Sequence, residues 1–435
     1  METKLHIQTQ LQNQSASVDK TSISVSSDDR NILRRLAEKV RVLSDRPIEK
    51  EKRDLWYRHN DLESVRPLIF RDPENGWMEI ITEDQMRCQG ELARRWELAL
   101  RKDIFWGECM GDDRVIESTF DVAHVYTESD WGMHETKIGG EDFGAFRWES
   151  PLRSYDQIDA LRFPTIAVDF DSSAVLLQTA RDTLGDILQV RQRTKWWWSV
   201  GMTEKFVLLR GLEQMMRDVY DHPDGMKMLM AFLRDGHLAK LDFLEENGLL
   251  APNHDNVYVG SGGFGYTKQL PKPGYDPMNV RACDMWGHSE SQETTGISPE
   301  MFGEFIYPYQ RPLLERFGLN CYGCCEPLDK RWSCIKDTPN LRRVSVSAWA
   351  DREKMAEYLQ DKFIYSFKPN PTNLAVPELM ADAARGEVRH ALEVAKGCHL
   401  EIIMKDNNTL GGNPQNALQW CRIAREEIKR LHGEN

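Results

Sequence analysis

The sequence predicts an α/β protein with a parallel sheet closed into a barrel. Between residues 279 and 431, short β-branched or aromatic runs alternate five times with helical patterns, and the connections are a few residues long. Such βα units force parallel strands, and right-handed crossovers leave either a closed barrel or an open doubly wound sheet. No glycine-rich phosphate fingerprint opens any of these helices, which favours the barrel.

From Met1 to Asp28 the chain is rich in Ser, Thr and Gln without an apolar core, the composition of a disordered tail. The pattern changes at Ser27-Asp28-Asp29, and Arg30 to Ser44 is expected to form an amphipathic helix. The expected division is a tail over 1–28, a helical extension over 29–60 and a barrel over 61–435. An apolar run at Arg66–Arg71 precedes an expected helix from Thr82 to Asp103, and Gly- and Trp-bearing irregular segments follow. Lys195–Val200 has the look of a buried strand, and Glu204–Tyr220 and Pro223–Asn247 of a helix pair broken at His222-Pro223.

The expected βα series pairs a strand at Asn279–Trp286 with a helix at Ser298–Phe317, where Ser298-Pro299-Glu300 supplies cap, first-turn proline and first-turn acid. The strand at Leu319–Cys325 precedes a helix near Asp329–Lys336, and the strand at Leu341–Trp349 one at Asp351–Leu359. Phe363–Phe367 is followed by a helix over Val376–Ala395, and His399–Met404 by the closing helix Pro414–Leu431. Gly260-Ser-Gly-Gly-Phe-Gly265 contains part of G-x-G-x-x-G, but it sits in no strand-to-helix context and reads poorly as a nucleotide loop.

A net charge of −13 argues against nucleic acid as the main partner, since phosphate neutralisation needs basic patches, and it disfavours anionic membranes. No stretch approaches eighteen apolar residues and no secretory signal opens the chain, so a cytoplasmic protein is expected. Nine cysteines, two of them adjacent, do not form a secreted disulfide framework and are expected to be reduced thiols.

In a parallel barrel, residues just past the strands share one mouth, and chemistry is placed there. Those residues are Asp284, Trp286, His288 and Glu290; Cys324, Cys325 and Glu326; Trp349; Lys368 and Asn370; and Lys405 and Asp406. Carboxylate, imidazole and thiolates converging on one cavity make a zinc composition, and catalytic zinc needs three protein ligands and an open position. Taken singly, His288 is more often a hydrogen-bonded loop histidine, Glu290 a solvated acid and each cysteine a space-filler. Strand alternation lets only one of Cys324 and Cys325 point inward unless a bulge turns both.

Phe206–Tyr220, Asp284-Met-Trp-Gly287, Ile297–Phe305 with Pro308-Tyr309, and Asn413–Ala417 resemble the uroporphyrinogen decarboxylase superfamily over roughly residues 60–430. The resemblance implies a (β/α)8 barrel. Within that superfamily the chain is most similar to the corrinoid-dependent methyltransferases of anaerobic O-demethylase systems. The arginine-rich motif of the decarboxylases is missing, with Asn60–Leu68 near its position, and the His-x-Cys zinc motif stands here as Gly323-Cys324-Cys325, so only Cys325 carries over. The resemblance implies a zinc-dependent enzyme moving a methyl group from a methoxylated, aromatic small molecule to the cobalt of a corrinoid (cobalamin) on a separate protein. The expected metal set is Glu290, Cys325, Cys324 and His288. Glu290 and Asp284 are the candidate catalytic residues, and Trp286, Trp349 and Asn370 the candidate substrate contacts. The corrinoid is expected on a partner because the usual Asp-x-His-x-x-Gly motif stands only as Asp235-Gly-His237-Leu-Ala-Lys240, inside a helical pattern. A homodimer is compatible with the sequence. The competing readings are a metal-free decarboxylase, with Asp284 as cation stabiliser, and a non-catalytic corrinoid-handling barrel.

Overall fold

The computed structural model describes residues 23–140 and 146–432. Most of the expected tail, up to residue 22, lies outside the described residues. Helix α1 (Ser27–Ser44) starts where Ser26 accepts a hydrogen bond from the Asp29 amide, and α2 (Pro47–Asn60) carries a proline at its first position. Strand β1 (Leu68–Arg71) is followed by α3 (Glu91–Phe105), shorter at its start than expected because Glu83–Gln85 forms a separate 3-10 turn. Four short strands come next: β2 (Thr119–Val122), β3 (Val125–Glu128), β4 (Thr136–Gly139) and β5 (Phe146–Glu149). Then come β6 (Ile166–Asp169), α4 (Phe170–Leu184) and β7 (Gln189–Gln192).

Lys195–Val200 is not a strand. Trp196 and Trp198 spend their indole N–H groups on the Leu249 and Gly260 carbonyls, so side-chain bonds hold this segment where a ladder was expected. Three helices follow: α5 (Thr203–Arg210), α6 (Leu212–Asp221) and α7 (Pro223–Glu246). The helix expected from Glu204 breaks at Gly211, whose φ of 98° only glycine adopts without strain.

The second half follows the predicted alternation with shorter elements. It runs β8 (Trp286–Ser289), α8 (Pro299–Phe305), α9 (Tyr307–Leu314), β9 (Leu319–Tyr322), α10 (Trp332–Ile335), β10 (Leu341–Val346), α11 (Arg352–Leu359), β11 (Ile364–Phe367), α12 (Ala381–Val394), β12 (His399–Met404) and α13 (Gln415–His432). The first strand begins at Trp286, not at Asn279. Asp284 accepts hydrogen bonds from the Arg281 amide and guanidinium, which closes a turn where strand was expected. The long helix after it divides at Ile306.

All six core strands are parallel, in the order β1-β12-β11-β10-β9-β8. The five successive units are therefore present, but the expected closure is not: the ladder ends at β1 and β8. Across the gap, β2 and β7 form a separate parallel pair. Backbone hydrogen bonds reach the two edges, from the Asp113 amide to the Ile69 carbonyl and from the Val200 amide to the His288 carbonyl, each 2.8 Å, and the Ile69 and Arg71 amides donate to the Asp113 and Asp112 carboxylates. The pieces bridge the gap without a continuous ladder.

Helices α9, α11 and α13 pack on one face of the sheet. A hairpin turn at 257–265 packs on the other, closed by the Val259 amide on Gly263 and the Gly265 amide on Val257. Here the glycine-rich run finds its reason. A Cβ on Gly260 would stand 2.8 Å from the Cβ of Cys321 in β9, one on Gly262 would collide with Ile403 in β12, and one on Gly263 would stand 2.7 Å from the Arg343 guanidinium in β10. All three have positive φ. Phe264 meets Phe70 of β1 and Trp56 of α2 edge-on. The end of α2 is thus built into the core: Asn60 donates to the Phe264 and Tyr266 carbonyls at 2.7 Å each and accepts from Arg343 at 2.7 Å.

Candidate functional site

Chemistry-bearing side chains gather past the carboxyl ends of β9 and β12. β9 ends at Tyr322, Gly323 turns the chain at φ 92°, and Cys324 and Cys325 follow. Their sulfurs lie 3.5 Å apart, so the turn brings both thiols to one side where simple alternation would separate them. Past β12, Lys405 Nζ stands 3.7 Å from Cys324 Sγ and 2.5 Å from Asp406 Oδ1, while Cys325 Sγ lies 3.4 Å from Asp406 Oδ2. The hydrogen bond from Cys325, and then the Lys405 ammonium, hold the Cys324 thiol below its ordinary range; Cys325 is pushed up by keeping the shared proton. Burial opposes the charge on Lys405, but Tyr258, Cys324, Asp406 and Glu74 together keep it a cation. Burial raises Glu74 to about 7.

Glu290 is buried past β8, and burial, followed by the charges of Glu293 and Glu326, pushes it well above the ordinary carboxylate range. Glu326 accepts from the Ser291 amide and the Cys324 amide, both at 2.9 Å, and so fixes the turn carrying the thiols. Lys368, past β11, donates to the Ser366 hydroxyl at 2.6 Å, and burial lowers it to about 8.

His288 lies within β8, with its ring nitrogens 3.3 Å from the Trp198 and Gly323 carbonyls. Burial lowers it to about 4, so it is a neutral ring facing two backbone acceptors. Neither nitrogen is turned toward Cys324 or Glu290. Among the described residues no group of three or more His, Cys, Asp or Glu is placed to hold a metal ion. Of the expected zinc ligands Glu290, Cys325, Cys324 and His288, the two thiols come together, Glu290 stands within electrostatic reach of Cys324, Asp406 lies against Cys325, and His288 is spent on two backbone carbonyls.

Asp284 precedes β8, at the opposite end of the strands from the thiols, and is bound by both Arg281 Nε and Nη2 at 2.9 Å and by the Lys272 amide. This is a turn-closing ion pair, and it corrects the expectation that Asp284 shares the mouth. Trp286 is likewise the first residue of its strand, buried, with its indole N–H on the Gly265 carbonyl. Trp349 is 71% exposed. Asn370 caps the turn at Pro371–Asn373 by accepting from the Thr372 amide.

Between the segment after β7 and the edge strand β8 lies a cavity of about 320 Å³ walled by Trp196, Trp197, Trp198, Trp286, Tyr258 and His288. Burial pushes the Tyr258 phenol in its wall well above the ordinary range. The sequence reading named Lys405 and Asp406 at a strand end but missed Glu74, Tyr258 and Lys195. The last two sit in irregular segments, where no periodicity marks an inward position. Among the described residues no helix is long and apolar enough to cross a membrane.

No family model matches the chain, and no curated protein matches it. Twenty chains of solved structures match. One is a methyltransferase from Methanosarcina mazei, 12% identical, covering 88% of this chain and 99% of its own, with a TM-score of 0.48. A likeness of that size carries no argument about function.

Proposed function

We propose that the chain is a methyltransferase that takes a methyl group from a methoxylated aromatic small molecule and passes it to the cobalt of a corrinoid on a separate protein. The observation that supports the proposal is the tryptophan-walled cavity at the β8 edge of the sheet, in a protein whose strand ends carry the Lys405–Cys324–Cys325 cluster. It supplies a flat apolar site for an aromatic ring. A methyl ether is inert because the departing oxygen is a poor leaving group. A positioned acid helps by protonating that oxygen as the carbon–oxygen bond breaks. The methyl carbon goes to the electron pair of the acceptor, and the bonding electrons stay on oxygen, which takes the proton. Glu290, which burial pushes well above the ordinary carboxylate range, and the Lys405 ammonium are the groups proposed to supply that proton.

A separate carrier for the corrinoid is supported by the residues that would otherwise bind it. His237 is enclosed in α7 with its Nε2 unpartnered, and Lys240 is tied to Glu128 at 2.7 Å. The same proposal reads the six-stranded sheet with β2 and β7 as the parts of a (β/α)8 barrel.

The test is to incubate the pure chain with methoxylated arenes and free reduced cobalamin while following the cobalt spectrum and zinc content. Methylated cobalamin appearing only with donor and chain present is the expected result. No methyl transfer from any methoxylated donor, with carbon dioxide released from a carboxylated tetrapyrrole, would overturn the reading in favour of a decarboxylase. The step needs no metal, and among the described residues no group of three or more His, Cys, Asp or Glu is placed to hold one. In the same preparation, one zinc per chain that is lost in Cys325→Ala would show a rearranged set built on that thiol, and no zinc in either protein would remove the cofactor from the proposal.

A further inference from the structure

The two thiols past β9 are placed differently from other cysteines of the chain. Cys88, Cys334 and Cys398 lie against the backbone carbonyls of Asp29, Pro299 and Ala356, and Cys321 against the Arg343 guanidinium. Cys324 and Cys325 meet each other, sulfur to sulfur at 3.5 Å. Successive side chains of an extended chain point to opposite faces, so the meeting is made by the turn. Gly323 starts that turn at φ 92°, and a Cβ there would stand 2.5 Å from Leu328 Cδ1 and 3.2 Å from Ser345 Cβ. Cys324 is then pinned on both sides, its amide donating to Glu326 Oε2 at 2.9 Å and its carbonyl accepting from the Ser345 hydroxyl at 2.8 Å. Buried partners of the backbone thus hold the two sulfurs together.

Access to the pair is one-sided. Cys324 is 3% exposed, whereas Cys325 is half-buried, so an incoming reagent meets Cys325 first. Asp406 Oδ2 lies 3.4 Å from the Cys325 sulfur, in place to take its proton, and Lys405 Nζ lies 3.7 Å from the Cys324 sulfur, in place to stabilise negative charge on it. A sulfur–sulfur bond is about 2.05 Å long, so rotation of the two side chains has only about 1.5 Å to close.

We propose that Cys324 and Cys325 form a reversible dithiol–disulfide pair, oxidised by low-molecular-weight disulfides. Cys325 attacks one sulfur of the incoming disulfide as its proton passes to Asp406, and the first small thiol leaves. Cys324 then attacks the Cys325 sulfur and expels the second. One small disulfide is reduced by two electrons to two thiols, which carry away the two cysteine protons, and the pair is oxidised by the same two electrons. Consecutive Cα atoms stand about 3.8 Å apart, closer than the roughly 4.4–6.8 Å usual for a disulfide, so the closed ring is strained and readily reduced. The inference does not depend on the methyl-transfer reading.

The full-length protein is incubated with oxidised glutathione, alkylated and digested, and the peptide carrying Cys321, Cys324 and Cys325 is sequenced by mass spectrometry. In the wild type that peptide should lose two hydrogens, carry no glutathione and keep Cys321 outside the new bond; dithiothreitol should restore both thiols. Cys324→Ser, which lacks the second sulfur, should instead retain one glutathione on Cys325. Untreated wild-type protein should also be held by immobilised phenylarsine oxide, which binds two close thiols, and both Cys324→Ser and Cys325→Ser should lose that retention. A wild-type peptide with both cysteines still free, or with a lasting glutathione on Cys325, overturns the inference, as does equal retention of wild type and variants by the arsenical.

Discussion

At the scale of single residues, Glu401 shows how much charge this core holds. It is fully buried in β12 and meets Arg343 Nε at 2.9 Å, His59 Nε2 at 3.2 Å and the Ser366 hydroxyl. Burial alone would raise it, but Arg343 and His59 hold it at about 2, below its ordinary 4.5. A carboxylate depressed by folding adds stability that is complete above its unfolded pKa and is lost as pH falls through the folded value. Acid unfolding should therefore draw on Glu401 between about pH 4.5 and 2, and Glu401→Gln should flatten that part of the stability curve. Removing one partner of a buried pair costs about 3–5 kcal/mol, so the variant should also unfold at clearly lower denaturant at pH 7. An unchanged midpoint at neutral pH would show that the network does not support the fold. Nothing in the residue pattern marks this network. A strand reading as His-Leu-Glu-Ile-Ile-Met places its acid inward only once the opposite face is known to be covered by helices. By contrast the strand-end position of Cys324, Cys325, Lys405 and Asp406 was legible, because it depends only on where each strand stops. Their partners were not, since the turn at Gly323 overrides alternation.

Among the elements, the turn at 257–265 is the one whose role changed most between sequence and structure. Its glycines answer to Cys321, Ile403 and Arg343 across the sheet, not to a phosphate. Gly262→Ala should cost more than a usual glycine-to-alanine change. The site combines φ 141° with a collision against Ile403, and overpacking alone is worth about 1–3 kcal/mol. Thermal unfolding of this variant beside Gly386→Ala, an α12 position with open space around it, checks the point; equal melting temperatures would mean the turn does not pack as described. Helix α11 behind its cap Asp351 lies where the sequence places it, and α1 ends as expected at Ser44 but starts at Ser27 behind Ser26, three residues before the expected Arg30. The elements misjudged were those ended by side chains reaching in from elsewhere. Arg281 on Asp284 delays β8, and the tryptophan bonds of 196–198 replace a strand.

For the whole molecule, parallel order was legible because short βα connections leave no other choice, whereas closure depends on segments between β1 and β8 whose pattern is irregular. The contact between α2 and β12 also bears on when the protein can finish folding during its synthesis. His59 and its partner Glu401 are separated by 342 positions. While a ribosome makes the chain from its amino end, α2 emerges early, yet Trp56, His59 and Asn60 must wait through nearly the entire translation for the turn at 257–265 and then for the last strand. Pairings that distant form slowly and leave apolar surface open in the interval. A chain ending at residue 395, before β12, should stay protease-sensitive at every site that the full-length protein protects, including those in α1 and α2; protection of those two helices in the truncated chain would show that the amino-terminal part folds by itself. A nascent chain of this kind is expected to keep apolar surface open until its final strand arrives.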